Sequence, residues 1–523
     1  MNFFKFFKSK ERKVNPDNIF FQDEKRSYNA GKFTNMNANW SRTSNTEDYD
    51  LQTALKPMQA RSNDLEQNNA YMTKYVFLLT NNVVGNEGFK LKSTTKKTEG
   101  GNDSDIELNK EMQRLYNKWC KAKNCDIVYN QSFSEICKVV VSDLGIFGES
   151  LVRIVRDEPT DDDEFGFRLQ TIDINRLTMQ NFIAENGNMV KMGIEVNQYG
   201  RPLAYYISKV SNNANPFVES SYSSSNFERV LAKDIFHIFK KEKAEQTRGR
   251  PWSHSVMTTI KDLEDFDETS LNAGKIGASA GIYLQQTGVT SGPGIVDKKK
   301  AGGGVIAEMG VGEIRVLPEG LEFKTFDPTY PTDAYQAFTK RNLQKIAAGL
   351  GLSQIYLAND TENLNYSVSR TVLVEERDNY KNIQALLIEH FVAPTYEEFT
   401  KHIILKDLVI VKGRKIESFE LDRVLDYKFI PRSWTWIDPL KEIQAVLLEF
   451  KSGMKPMSQI LAEKGLDLGE VLEAYNSDMN EMKNVLGENY VFFEKVLFGE
   501  LSKEMPSTID EDANITSKNK PQE

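Results

Sequence analysis

The feature that most constrains this chain is a pair of long helical patterns joined by a short polar segment, all between residues 331 and 389. Gly349 and Gly351 predict the end of the first helix, because glycine relieves the left-handed conformation of a helix exit. Ser367 is the expected N-cap of the second helix, which should run to about His390. This arrangement is typical of a loop that projects from a rigid frame. The first helix is amphipathic, and its apolar face contains Tyr335, Phe338, Leu343, Ile346, Ala347 and Leu350.

Several blocks of this sequence are informative when they are taken in order. They are Arg61-Ser62-Asn63-Asp64-Leu65 with Asn68-Asn69-Ala70-Tyr71 and Val84-Gly85, then Gln246-Thr247-Arg248-Gly249-Arg250-Pro251-Trp252, then Ile346-Ala347-Ala348-Gly349-Leu350-Gly351-Leu352-Ser353 with Asp360 and Asn365-Tyr366-Ser367-Val368-Ser369-Arg370, and finally Trp436-Ile437-Asp438-Pro439-Leu440-Lys441-Glu442. Each block alone is a weak match, but together they span about residues 50–450 and resemble the lambda-type bacteriophage portal proteins. The resemblance implies an α+β, mainly helical portal fold with wing, stem, clip and crown regions that assembles as a ring.

The resemblance also implies where the regions of the chain begin and end. The two helices of the opening pattern become a stem helix and the long helix behind the loop that lines the DNA tunnel. The expected regions are a flexible N-terminal arm (1–48), the wing (49–250), the first stem helix (251–284), the clip (285–328), the second stem helix (329–352), the tunnel loop (353–366), the long helix and wing return (367–435), the crown (436–500) and a disordered tail (501–523).

The tunnel loop is the one segment for which we expect a direct functional role. Its asparagine amides suit hydrogen bonds to phosphates, while Asp360 and Glu362 add repulsion, so that DNA is contacted without adhesion. Leu364 is a candidate steric tip. A solvent loop between helices has a similar composition, so this assignment rests on the family resemblance. The candidate tunnel residues are Asn359, Asp360, Thr361, Glu362, Asn363, Leu364 and Asn365.

Residues 253–284 have the pattern of one long helix with Ser253 as its N-cap. Its second half consists largely of small residues, although each glycine in a helix interior costs ~1 kcal/mol relative to alanine. Such a stripe is tolerated when another backbone must approach closely, as between neighbouring stem helices of a ring. A helix that breaks near Gly274 is the alternative. The candidate subunit-packing residues are Ala273, Gly274, Gly277, Ala278 and Gly281.

The charge balance argues against tight DNA binding. The chain has 66 Lys and Arg against 75 Asp and Glu, which gives a formal net charge of −9. Proteins that grip duplex DNA usually neutralise its phosphates with Lys and Arg. A surface past which double-stranded DNA slides, without sequence specificity, suits this composition better. Lys298, Lys299 and Lys300 are candidate basic residues at the channel mouth, and a solvated loop explains them equally well.

The motifs give no support for catalysis, a cofactor or a metal site. The glycines within 302–312 lack the Walker spacing with Lys and Ser or Thr. The histidines are widely separated, and His237, in a predicted strand, is expected to be a satisfied structural residue. Cys120, Cys125 and Cys137 are an odd number for a disulfide framework and lack zinc-ligand spacing.

The N-terminus does not resemble an export signal, and no partner in a membrane is expected. The apolar runs are far shorter than the ~20 residues of a membrane helix. The first ten residues alternate aromatic pairs with Lys and lack the continuous apolar core and cleavage site of a signal peptide. This pattern favours a short amphipathic or docking arm.

Hydrophobic periodicity predicts the other elements of the chain. Pro57 is expected to start or interrupt the first helix. Predicted helices lie at 51–84, 106–121, 132–147, from Pro439 to Gly453, and at about 457–464 and 468–485. Predicted strands lie at 148–156, 167–172, 189–196, 204–208, 235–240, 314–317, 321–325, 403–411 and 427–430.

The resemblance therefore implies a non-enzymatic portal subunit, with no cofactor, in a ring of about twelve copies. Its expected partners are double-stranded DNA, the terminase large subunit, the major capsid and scaffold proteins, and the head–tail connector proteins. Its expected location is the portal vertex of the virion, after assembly in the cytoplasm of the bacterial host. Two alternatives are a DNA-processing enzyme that uses a carboxylate-bound metal and a scaffold or adaptor without a channel.

Overall fold

The computed structural model describes residues 44–97, 105–160, 163–209, 227–278, 282–286, 321–325, 334–360, 366–434, 439–464, 466 and 468–487. Its fold is α+β and mainly helical, as the sequence predicts. Most of the N-terminal arm, Lys298–Lys300, the predicted strand at 314–317 and the predicted tail lie outside these residues.

The helices form most of this part of the chain. They are α1 (Glu47–Asn68), α2 (Ala70–Val83), α3 (Ile106–Trp119), α4 (Ala122–Cys125), α5 (Phe133–Ile146), α6 (Met257–Ala278), α7 (Ala334–Leu350), α8 (Gln354–Ala358), α9 (Tyr366–Leu387), α10 (Ala393–Leu405), α11 (Leu421–Val424), α12 (Pro439–Lys451), α13 (Met457–Glu463) and α14 (Leu468–Leu486).

The strands form small antiparallel sheets. A three-stranded sheet has the order β3-β2-β9, a five-stranded sheet runs from β4 to β8 in sequence order, and the pairs β1-β14, β10-β11 and β12-β13 stand alone. The strands are β1 (Lys90–Ser93), β2 (Glu149–Arg156), β3 (Phe167–Ile172), β4 (Phe182–Ile183), β5 (Met189–Lys191), β6 (Ile194–Val196), β7 (Pro202–Ser208), β8 (Phe227–Leu231), β9 (Ile235–Phe239), β10 (Ile282–Gln286), β11 (Leu321–Thr325), β12 (Ile410–Val411), β13 (Arg414–Lys415) and β14 (Tyr427–Ile430).

The prediction for Pro57 is wrong, because α1 continues through it. Proline cannot donate a backbone hydrogen bond within the helix. Leu51, Leu55 and Leu65 are buried on either side of it, and this packing keeps α1 helical. The helix stops at Asn69, whose side chain accepts hydrogen bonds from the first N–H groups of α2 and caps it.

The predicted strand at 189–196 is two strands joined by a tight turn. Strands β5 and β6 pair with each other, with Lys191 opposite Ile194. Met192 and Gly193 between them have positive φ values, 45° and 83°, which reverse the chain. The alternation of apolar residues continues across the turn, so the periodicity alone does not reveal the break.

The predicted helix at 253–284 is shorter than expected at both ends. Residues 252–256 form turns, α6 covers Met257–Ala278, and the chain then enters strand β10, which pairs with β11. The backbone N–H groups of Val256 and Met257 donate to the carbonyl oxygen of Ser253. Ser253 is fully buried, and its hydroxyl lies 3.0 Å from that of Ser62 in α1, so it joins two elements instead of capping α6.

The second helix of the opening pattern is longer than predicted. Helix α9 passes through a π-helical turn, Ile388–Val392, directly into α10, which ends at Leu405. Pro394 cannot donate the next backbone hydrogen bond, and the wider π turn lies just before it. The predicted strand at 403–411 is therefore wrong over its first residues, and only β12 forms there.

The core joins the N-terminal helices to the returning chain. Trp119 of α3 stacks on Phe399 of α10 at 4.9 Å between ring centroids and lies 5.3 Å from Phe133 of α5. Its indole Nε1 donates to the Phe167 carbonyl oxygen at 2.8 Å, so the buried polar atom is satisfied. Strand β14 pairs with β1, which closes the same unit.

Candidate channel-forming stem

Helices α6 and α7 form an aromatic contact near the start of α7. The Phe266 ring stacks on Tyr335 at 5.7 Å and lies 4.9 Å from Phe338. The Tyr335 hydroxyl donates to Asp267 Oδ1 at 2.8 Å. The predicted apolar face of α7 is confirmed for its second half, where these residues are buried: Leu343, Ile346, Ala347 and Leu350. Phe338 is instead 51% exposed.

The two glycines that we expected to end α7 have different roles. Gly351 follows the helix with φ +68° and provides the exit that we predicted. Gly349 lies inside α7, and a Cβ added there would overlap the Cγ1 of Val256. Because Val256 is 3% exposed and β-branched, it has little freedom to move. Gly349 therefore brings α7 close to the segment that leads into α6.

The structure describes two of the predicted tunnel residues. Asn359 adopts a left-handed conformation, with φ 52° and ψ 33°, and ends α8, a short helix that the sequence did not predict. The Asp360 carboxylate lies 2.7 Å from Lys340 Nζ of α7 and accepts from Gln354 Nε2 at 3.3 Å. We expected the negative charge of Asp360 to repel DNA, but in the structure this charge is paired with Lys340. Outside the described residues lie Thr361, Glu362, Asn363, Leu364 and Asn365.

The small-residue stripe of α6 is only partly described. The helix continues through Gly274 to Ala278, so the alternative of a break at Gly274 is wrong. No atom lies within 4 Å of a Cβ built at Gly274, so this side of α6 has space for another chain. Ala273 is half-buried. The structure does not describe the surroundings of Gly277 and Ala278, and Gly281 lies outside the described residues. Close packing between subunits stays a prediction.

The segment that leads into the stem is anchored by a buried ion pair. The Arg248 guanidinium donates from Nη2 to Glu149 Oε1 at 2.7 Å and from Nε to Oε2 at 2.9 Å. The Glu149 carboxylate also accepts from Gln59 at 3.0 Å and from the Gly249 N–H at 2.9 Å. His237 Nε2 lies 3.0 Å from it, so the structural role that we predicted for this histidine is confirmed.

The electrostatics of this anchor favour a charged carboxylate. Burial alone would raise the pKa of Glu149, but the charge of Arg248 and the hydrogen bonds from His237 and Arg248 outweigh it and lower the pKa to about 2. Burial lowers the pKa of His237, against the opposing effect of Glu149. The local sequence pattern does not predict that Arg248 pairs with Glu149 or that other groups join this pair. Arg248 does lie in one of the blocks that resemble the portal family, Gln246–Trp252.

Charged side chains of opposite sign are exposed on the two stem helices. Helix α6 exposes Asp262, Asp265 and Glu268, and α7 exposes Arg341 and Lys345. Asp265 lies 3.2 Å from Lys261 of its own helix, and Lys345 donates to Thr259 at 3.0 Å. The exposed charges of α6 are thus mostly acidic, with Lys261 and Lys275 as exceptions, and those of α7 are basic.

Within the part of the chain that the structure describes, no group of three or more His, Cys, Asp or Glu side chains is arranged to hold a metal ion. The thiols of Cys120, Cys125 and Cys137 are free. No described helix combines the length and the apolar character that crossing a membrane requires.

Comparison with known proteins supports the resemblance found in the sequence. The family model described as phage portal protein, lambda family, matches residues 33–384, which is well over half of the chain. The chain is 29% identical to a probable portal protein of Halomonas phage phiHAP-1, over 88% of this chain and 87% of that protein. It is 21% identical to portal protein B of Escherichia phage lambda, over 88% of this chain and 90% of that protein.

Two solved structures show weaker similarity. One is the neck of a native gene transfer agent particle with C12 symmetry, at 12% identity and a TM-score of 0.40, covering 80% of this chain and 93% of that one. The other is an HK97-family phage portal protein from Corynebacterium diphtheriae, at 11% identity and a TM-score of 0.30, covering 74% of this chain and 97% of that one.

From the extent of the family match, this chain belongs to the lambda family of phage portal proteins and is a portal subunit of a phage particle.

Proposed function

We propose that this chain assembles into a closed ring of about twelve subunits at one vertex of the capsid. Double-stranded DNA passes through the axis of the ring during packaging and ejection. Helices α6 and α7 supply the stem, and residues 359–365 supply the tunnel loop. Membership in the portal family supports the proposal, and the exposed apolar surface of the single subunit carries it.

Large apolar side chains are exposed on the stem and on the C-terminal helices. Leu271 of α6 is 59% exposed, and Leu448 of α12 and Val485 of α14 are 69% and 78% exposed. Exposed apolar patches on soluble proteins mark interaction sites, and full burial of such a side chain contributes about 1.5–3 kcal/mol. Further exposed residues of these helices are Phe338, Ile443, Phe450, Leu472 and Tyr475. Neighbouring subunits are the partners that would cover them.

The charges of the stem favour one arrangement of neighbouring subunits over the others. In a cyclic ring, one surface of each subunit meets a different surface of the next. The acidic side of α6, with Asp262 and Glu268, complements the basic side of α7, with Arg341 and Lys345. Pairing α6 of one subunit with α7 of the next places opposite charges together and disfavours contacts between like surfaces.

The channel passes DNA without sequence specificity. The net charge of −9 keeps long-range attraction to phosphates weak. In the tunnel loop, the pairing of Asp360 with Lys340 leaves the asparagines and Glu362 as the groups that meet DNA. We expect brief hydrogen bonds to phosphates together with repulsion, which favours movement over retention.

The energy for packaging comes from a partner. The terminase large subunit would dock on the clip (285–328) while DNA enters, and head–tail connector proteins would take its place afterwards. The wing would contact the major capsid and scaffold proteins while the particle assembles in the host cytoplasm. The lack of a Walker motif in the sequence supports a subunit that has no catalytic activity of its own.

Light scattering of the purified full chain at increasing concentration tests the assembly. We expect a single species of about twelve times the subunit mass, seen as rings with a central hole by negative-stain microscopy. A chain that stays monomeric at high concentration contradicts the proposal. Assembled particles without a hole would favour the scaffold or adaptor.

A further inference from the structure

A cavity of about 490 Å³ lies at the base of the stem, apart from the tunnel loop. It lies between α2, the end of α7, the second half of α9 and residues 240–254. Its volume falls within the ~300–1,000 Å³ of sites that take a small organic ligand. Neither the assembly proposed above nor the passage of DNA uses it.

One part of the cavity wall is apolar, while charged and polar residues line the rest. The side chains of Tyr75 and Leu79 of α2, both 1% exposed, lie on one side. The half-buried side chains of Trp252, Ile383 and Leu386 complete the wall. Where α7 ends, the cavity is lined by Ala348, Gly349, Leu350 and Gly351.

Several polar groups that line the cavity already have partners within the chain. Arg250 Nε donates to Glu242 Oε2 at 2.9 Å, and Asn379 Nδ2 donates to the Gly351 carbonyl oxygen at 3.0 Å. Because these groups are satisfied, a charged ligand would have to displace them. An apolar or aromatic occupant needs no such exchange and gains from contact with the apolar part of the wall.

The described chain begins beside this rim. The Asp48 carboxylate accepts hydrogen bonds from the backbone N–H of Thr247, at 2.8 Å, and from its hydroxyl, at 2.6 Å. Glu47 Oε1 lies 3.0 Å from Arg250 Nη1, and Arg250 lines the cavity. The preceding residues thus connect to the subunit next to the cavity. An extended chain spans ~3.3 Å per residue, so the first residues can reach it.

We propose that the aromatic segment at the start of this chain, with Phe3, Phe4, Phe6 and Phe7, docks in the cavity of its own subunit. The phenylalanine rings enter against Trp252 and Ile383, where aromatic pairs and apolar burial favour them. Lys5 between the two pairs stays at the rim, with its charge in solvent. The arm thereby holds together the wing and the base of the stem.

A photo-crosslink in the full-length chain tests this docking. Phe6 is replaced by benzoylphenylalanine, and the products are mapped by mass spectrometry. We expect crosslinks to the peptides that contain Trp252 or Ile383 and Leu386. Crosslinks confined to other surfaces, or none, would overturn the proposal.

Two controls sharpen the result. Asn382→Trp, at an exposed position on the rim, should fill the cavity and abolish these crosslinks, whereas Ala385→Trp, exposed on the same helix but not lining the cavity, should preserve them. Equal crosslink yields from both variants would contradict docking at this cavity.

A second control uses a mixture of isotopically labelled and unlabelled chains, in which crosslinks should join peptides of the same label. Mixed pairs would overturn docking within one subunit. Ring formation is measured separately and does not decide the outcome.

Discussion

Arg248 and Glu149 form an ion pair in which the side chains are 1% and 0% exposed. The guanidinium makes a forked contact, with Nη2 2.7 Å from Oε1 and Nε 2.9 Å from Oε2, and Arg248 Nη1 also donates to the Met192 carbonyl oxygen at 2.8 Å. The pair thus joins β2, the turn between β5 and β6, and the segment that leads into α6. The pair therefore links the start of the stem to both sheets.

Removing the negative charge from this pair should destabilise the chain strongly. Glu149→Gln leaves the Arg248 guanidinium buried without its counter-ion, and breaking a buried pair in this way costs about 3–5 kcal/mol. We expect a clear decrease in the midpoint of thermal unfolding, measured by circular dichroism. The matched control is Glu111→Gln, because Glu111 pairs at 2.7 Å with Arg114, which is 59% exposed. That exposed pair should contribute about 1 kcal/mol or less. Equal effects of the two substitutions would contradict the anchoring role.

A second, half-buried carboxyl should make stability depend on pH. Burial raises the pKa of Asp143 to about 7, against the hydrogen bond that the Ser150 hydroxyl donates to it at 2.8 Å. Since the folded-state pKa lies above the unfolded-state value of 3.8, folding takes up a proton between these values. Stability from this group is therefore complete below about pH 4 and is lost as the pH rises towards 7.

The substitution Asp143→Asn removes this titration while it keeps a partner for Ser150. Its melting temperature relative to the unmodified chain should be higher at pH 8 than at pH 5, because only the unmodified chain then carries a partly buried charge at this position. Asp422→Asn, at an exposed position, is the control and should show no such difference. A pH-independent effect of Asp143→Asn would count against a raised pKa.

Two glycines of the stem should respond to alanine in opposite ways. Gly349→Ala places a methyl group against Val256 and should destabilise by about 1–3 kcal/mol, the usual effect of overpacking. In the unassembled subunit, Gly274→Ala meets no atom within 4 Å and should stabilise α6 by roughly 0.5–1 kcal/mol through helix propensity. Hydrogen exchange of α6 and α7 resolves the two effects. Unchanged stability of the Gly349→Ala variant would show that Gly349 does not set the approach of the helices.

A charge exchange tests the contact between α6 and the neighbouring α7. Asp262→Lys with Glu268→Lys should weaken the ring, because two lysines then face Arg341 and Lys345 of the next subunit. Adding Arg341→Glu and Lys345→Glu in the same chain should restore assembly, measured by light scattering. Failure of the restored chain to assemble, while both chains remain folded, would show that these surfaces do not meet.

The amphipathic helices were predictable because their burial follows the local period. Tyr116 and Trp119 of α3 and Ile136 and Val140 of α5 are buried as their spacing predicts. It was harder to predict from the sequence where a helix continues and where it ends. The passage of α1 through Pro57 and of α9 through a π turn depends on tertiary packing that outweighs the local effect of proline.

Only part of the candidate site was predictable from the sequence. The helix, polar segment and second helix are evident from sequence, as is the glycine exit at Gly351. The partners of the charged groups are not. Arg248 lies 99 residues from Glu149, and Lys340 meets Asp360 across the end of a helix. Such pairs depend on how the elements pack, and no local period reports them.

A single-particle reconstruction of the assembled full-length chain, viewed down its axis, tests the central claim most directly. We predict a closed ring with a central hole, with α6 and α7 around it and residues 359–365 nearest the axis. A particle without a hole, or one in which these residues lie on the outer surface, would contradict the account.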